Sequence, residues 1–165
     1  MSLVGDILTT WRDPAGPVGR LLASPPREDR SLVMLIAACL LMYLARLPEL
    51  ARAAVIDPAI SREARFGITF FVMMFMVPLL AYLLAGGSHL VMRALGRHGA
   101  ASDARTALFW ALLAVTPGVL MQGLAAGLAG SGSGVARGLG LAVFAAFVWF
   151  WVSGLRIAYP AGGQG

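Results

Sequence analysis

Charged side chains are missing from two long stretches of this chain. Residues 66–92 carry no Asp, Glu, Arg or Lys over 27 positions, and residues 106–136 none over 31. A helix needs ~20 apolar residues, at ~1.5 Å rise each, to cross the ~30 Å hydrocarbon core of a bilayer. The pattern predicts four transmembrane helices. The first runs from about Ser31 to Leu47, where Pro48 ends it; only residues 31–45 are free of charge, and Arg46 snorkels to the border. Residues 48–65 are expected as a loop turning at Asp57-Pro58, with Leu50, Ala51, Ala54 and Val55 able to lie along the membrane surface. The second span covers about Phe66 to Met92; at ~40 Å it is long enough to require tilt or a kink, and Pro78 supplies the kink. Residues 93–105 form a polar loop. The third span opens near Thr106 and ends near Ala129, because Gly130-Ser131-Gly132-Ser133-Gly134 is a flexible connector. The fourth runs from about Val135 to Tyr159, bordered by Arg137 and Arg156, with Trp149 and Trp151 as an aromatic belt.

Ahead of these spans the periodicity is shorter. Leu3, Val4, Ile7, Leu8 and Trp11 share one face, with Asp6, Thr9 and Thr10 opposite. This is a short amphipathic helix that either lies in the headgroup plane or packs on the protein's own membrane face. Asp13-Pro14 breaks it, and a second apolar face follows at Val18, Leu21 and Leu22. Ser24-Pro25 is a helix start, a capping hydroxyl before a proline that needs no amide hydrogen. Residues 1–30 hold four arginines and four acids and no apolar run before a cleavage site, so a secretory signal is not expected. The chain thus divides into an amphipathic N-terminal region, 1–30, a membrane domain, 31–159, and a tail, 160–165.

Composition sharpens this. Of 165 residues, 59% are hydrophobic and 13% charged, against roughly 45–50% and about 25% in ordinary soluble domains. Disorder is excluded, and too few polar residues remain to cover a soluble globule. All 13 basic residues are arginine, which fits anionic lipid as well as a GC-rich coding bias. The net charge of +5 would point to nucleic acid in a soluble chain. Here the arginines sit between spans, so lipid headgroups and orientation account for them, and no nucleic-acid partner is expected. Four spans put both termini on one side; that side carries 8 arginines and the other 5, which predicts cytoplasmic termini.

Candidate chemistry is sparse. Gly123 and Gly127 make a G-x-x-x-G step, and Ala126 with Gly130 continues a neighbouring ridge; such small residues let helix backbones approach, either in a homo-oligomer seam or within the bundle. Gly86-Gly87-Ser88-His89 has a faint likeness to an intramembrane serine-protease motif, but adjacent helical residues diverge by ~100°, so His89 is poorly placed to activate Ser88. Thr116 and Gln122 accompany Pro117-Gly118 in the third span. Thr116 bonds the previous turn, or both line a pathway; Gln122 could satisfy the carbonyl that Pro117 frees. No acid falls inside a predicted span, which argues against an ion-coupled carrier. Two histidines and one cysteine make a metal or haem site improbable, and no cofactor motif is present. No catalytic residue emerges.

Several segments taken together resemble small bacterial members of the Yip (Ypt-interacting protein) domain family. They are Leu21-Leu22 leading to Pro26-Arg27-Glu28-Asp29-Arg30, Ser88-His89-Leu90, the stretch Ala107-Leu108-Phe109-Trp110-Ala111-Leu112-Leu113 with Pro117, and the closing residues 147–155. The resemblance runs from about residue 7 to 158 and implies a multi-span helical membrane protein with a cytoplasmic N-terminal region. Eukaryotic relatives act in vesicle traffic and bind Rab-type GTPases. This chain has four spans where they have about five and lacks their D-L-Y-G-P motif, so that role is not carried over. The expectation is an all-α integral membrane protein of a bacterial inner membrane. It is read as a non-enzyme that organises lipid or assists another membrane complex; a small oligomeric transporter or channel is the alternative, with an intramembrane hydrolase on Ser88 and His89 a distant third.

Overall fold

A computed structural model describes residues 3–24, 28–57 and 59–160, and among them every regular element is helical. Two short helices come first, α1 (Leu3–Thr10) and α2 (Ala15–Leu22). Asp13 separates them, its Oδ1 accepting from the amides of Ala15 and Gly16, 3.1 Å each, where no intrahelical partner exists. Next come α3 (Glu28–Ile56), α4 (Arg62–Phe71), a π-helical turn (Val72–Met76), α5 (Val77–Ala94), α6 (Ala101–Ala114), α7 (Thr116–Ala129) and α8 (Gly134–Ala158). Side-chain caps start two of them: Ser61 accepts from Ala64 N and Ser133 from Ala136 N, both at 3.2 Å. The Pro25 start, Pro58 and the tail after Pro160 lie outside the described residues.

Three helices are long and apolar enough to cross a membrane: α3, the continuous rod α4–π–α5, and α8. There are four if α6 and α7 count as one bent span. The all-helical bundle matches the expectation from periodicity, with boundary corrections. Pro48 does not end the first span, because α3 continues through it to Ile56 and the loop shrinks to residues 57–61. The proline ring is accommodated at Gly127 of α7, where an added Cβ would lie 2.4 Å from Pro48 Cβ. The second span is a 33-residue rod whose ladder widens into the π-turn before Pro78, with Val77 N bonding Val72 O. That widening relieves the clash of a proline ring with the carbonyl four residues earlier. The loop expected over 93–105 is only residues 95–100, since both flanking helices run into it.

The core is built on α6. Ala104, Ala107, Leu108, Phe109, Ala111 and Leu113 are buried on several sides of this one helix, between α3, α5, α8 and the N-terminal hairpin. A helix apolar all round belongs at the centre of a bundle, and α6 is that helix. Its polar end is tied to α3 by the Arg105–Glu28 ion pair and by Ser31–Thr106 at 3.2 Å. The rod α4–π–α5 sits at the periphery and turns most of its length outward.

Candidate functional site

The third span is where the structure departs most from the sequence pattern. It starts at Ala101 and breaks at Val115 into α6 and α7, bent by 41°. Pro117 has no N–H to give to Leu113 O, and Gly118 N bonds Val115 O at 3.0 Å, which frees Ala114 O as well. Two orphan carbonyls at this depth would each cost ~1–3 kcal/mol. Both have partners. Thr116 Oγ1 donates to Leu113 O at 2.8 Å, and Trp11 Nε1 donates to Ala114 O at 3.0 Å. Of the two readings of Thr116, the structure has the bond to the previous turn.

Trp11 reaches the break from the N-terminal hairpin. The Arg20–Asp6 ion pair (2.6 Å) holds α1 against α2, and Val18 of α2 is 1% exposed beside Ala107 and Gly154. Trp11 crosses Phe150 edge-on, centroids 5.4 Å apart, and covers Gly118, where a Cβ would lie 3.1 Å from the indole. Trp110 Nε1 donates to Thr10 Oγ1 at 3.3 Å, and Thr10 itself donates to Asp6 O at 2.8 Å. Thr10, on the polar face by sequence, is fully buried, because its hydroxyl serves these two bonds. Leu3, Val4 and Leu8 remain exposed. The hairpin thus packs on the bundle with one face and offers the other to its surroundings.

The small-residue step lies within the chain. A Cβ on Gly123 would stand 1.9 Å from Ala45 O of α3, and Ala126 is completely buried. With Gly127 seated on Pro48, the α3–α7 contact runs backbone against backbone. Gly130 does not extend that ridge. It ends α7 with φ +89°, a conformation glycine adopts without strain, and Arg52 Nη1 donates to the nearby Leu128 O at 2.9 Å.

Gln122, next to the residue that meets Ala45, lies against Gly140 of α8. The carbonyl that Pro117 frees, Leu113 O, is taken by Thr116 instead. His89 Nδ1 is paired at 2.6 Å with Tyr159 Oη, which donates to Ala100 O at 3.0 Å. Because Tyr159 spends its proton on Ala100, His89 Nδ1 is the donor of that pair. Ser88 Oγ donates to Leu84 O of its own helix at 2.5 Å, so Ser88 and His89 serve separate partners. Arg97 Nη1 closes the cluster on Tyr159 O at 3.0 Å.

Electrostatics concentrates at the ends. Arg46 pairs with Glu49 at 2.9 Å, and Arg65 with Asp57 at 2.6 Å. The hydrogen bond from Arg65, helped by the Ala59 amide, holds the Asp57 carboxyl below its usual value. Among the described residues no three His, Cys, Asp or Glu side chains gather where a metal would bind. Sequence reasoning missed Trp11 and Tyr159 as partners. An indole N–H and a phenol both seek acceptors when buried, but their acceptors lie 103 and 59 residues away. No protein-family model, curated protein or solved structure matches the chain.

Proposed function

We propose that this chain is a non-enzymatic integral membrane protein that works by interaction, organising lipid or assisting another membrane complex. One observation carries the reading: the three polar candidates of the membrane domain, His89, Thr116 and Gln122, each face a different part of the chain and do not gather into one site. His89 pairs with Tyr159, Gln122 lies against Gly140 of α8, and Thr116 is closed onto Leu113 O. The surfaces left for function are external, including the exposed face of α1. Gentle extraction from native membranes followed by native mass spectrometry tests this. Retained lipid or a stoichiometric membrane partner is expected; a strict monomer carrying neither overturns it.

A second reading has one observation in its favour, the bent pair α6–α7, since discontinuous helices form substrate sites in transporters. Liposome flux that Gln122→Leu abolishes and an exposed Leu128→Ala change leaves intact would favour this small transporter or channel. The Yip resemblance, a bacterial inner-membrane location and cytoplasmic termini belong to the proposal as well. The excess of arginine on the side of the termini supports the orientation. Alkaline-phosphatase fusions after Gly162 are expected to be inactive, and active ones reverse the topology.

A further inference from the structure

Helices α5 and α8 both lean on α6 and diverge from each other, leaving an open groove of about 570 Å³ between them. Its lining is apolar, with Leu80, Leu84, Gly87 and Val91 on one wall and Trp151 and Leu155 on the other. From Leu80 to Met92 the wall spans 13 residues, ~18 Å of helix rise. One leaflet of a ~30 Å hydrocarbon core is ~15 Å deep, so the groove matches a single leaflet. A Cβ on Gly87 would meet nothing within 4 Å, which leaves the middle of the groove clear. The groove ends at the polar border of α5 and α8. Arg156 stands there, one helical turn beyond the lining residue Val152 and on its stripe. Arg156 is exposed, and among the described residues it is in none of the ion pairs. The indole N–H of Trp151, in the wall, is buried and has no acceptor among the described residues.

From this juxtaposition of a leaflet-deep apolar groove and an uncompensated guanidinium at its mouth, we infer that the α5–α8 groove holds one acyl chain of an anionic glycerophospholipid, with its phosphate at Arg156. Charge complementarity selects the lipid over a second copy of the chain, whose own border at this side is also arginine-rich. The small-residue step that would otherwise seat a second copy is occupied by α3. The inference rests on the interaction reading above and gives it a ligand class.

The test uses the full chain in mild detergent, offered phosphatidylglycerol or phosphatidylcholine of identical chains, with retained lipid counted by native mass spectrometry. One arginine near the surface is worth about a five-fold preference for the anionic lipid. Arg156→Gln is expected to remove that preference while phosphatidylcholine retention stays. Arg93→Gln, on the stripe of His89 away from the groove, is expected to leave the preference intact. Gly87→Phe fills the groove and is expected to reduce retention of both lipids, with circular dichroism unchanged. Chain-brominated phosphatidylglycerol should quench tryptophan fluorescence in the natural protein and less in Gly87→Phe.

Equal effects of the two arginine changes would reduce the site to diffuse charge and overturn it. So would full lipid retention by a folded Gly87→Phe protein, or a dimer that this change dissociates without altering lipid. Lipid bound as described with no protein partner recovered leaves the groove standing and removes only the complex-assisting role. A partner recovered with no lipid preference does the reverse.

Discussion

Two helical spans of this protein are interrupted next to a proline, and they resolve the interruption in opposite ways. In the peripheral rod the backbone repairs itself: the π-turn Val72–Met76 shifts the ladder to Val77 N–Val72 O ahead of Pro78, and one continuous helix from Arg62 to Ala94 results. In the central span the backbone breaks at Val115 and bends by 41°, and side chains repair it, Thr116 from within and Trp11 from the N-terminal hairpin. In hydrocarbon a freed carbonyl must find a donor, but either source will do. Which one is used follows from surroundings. The rod has few neighbours to supply a donor, whereas the α6–α7 break lies among α1, α3 and α8.

The contrast is broken most severely at glycines. Gly123→Leu would drive a side chain into Ala45 O, 1.9 Å from the position of its Cβ, and should cost more than the ~1–3 kcal/mol of ordinary overpacking. Gly86→Leu on the rod, with nothing within 4 Å, is expected to leave thermal stability in detergent unchanged or slightly raised. If both melted alike, the α3–α7 contact would not be the backbone seam described.

Next come the two carbonyl repairs. Trp11→Phe keeps a ring beside Phe150 but strands Ala114 O, and a loss of ~1–3 kcal/mol is expected. Thr116→Val strands Leu113 O at a similar cost. A Pro117→Ala background restores an N–H for Leu113 O, so there the threonine change should become nearly silent in a double-mutant cycle. A full-sized effect in both backgrounds would separate Thr116 from the proline.

Smaller still is Pro78→Ala. The rod has already accommodated the proline by re-registering, so a change within ~0.5 kcal/mol is expected from chemical denaturation.

The smallest effect concerns the loop that leads into the rod. Asp57, paired with Arg65, titrates below its unfolded value, so its contribution is present above pH ~3.9 and is lost as pH falls through the lower folded value. A slight drop in melting temperature at acid pH should disappear in Asp57→Asn. Because the carboxylate is exposed, a large drop would point to another group.

Much of the bundle was legible in order and kind. Uncharged runs bounded by arginine marked the membrane segments, and Ser133 and the glycine-serine stretch marked the turn into α8. The proline rules were less secure. Pro48 reads as a stop, yet α3 passes through it, because Gly127 on a distant helix vacates the room its ring needs. The candidate polar residues were found as types but not as a set. Their partners depend on how the helices pack: Gln122 meets Gly140 of α8, and His89 meets Tyr159, 70 residues away.

By itself, then, the sequence determined the solvent, the helical class and the segments that meet the bilayer, since these follow from the count and period of apolar positions along one strand of chain. Tertiary structure alone decided that α6 is the centre, that the third span bends, that Trp11 supplies the donor for Ala114 O at the bend, and that Tyr159 ties the end of α8 to Ala100. Those are pairings between residues far apart in sequence, and a hydrogen bond specifies the geometry of its partner without leaving any mark on the spacing between them.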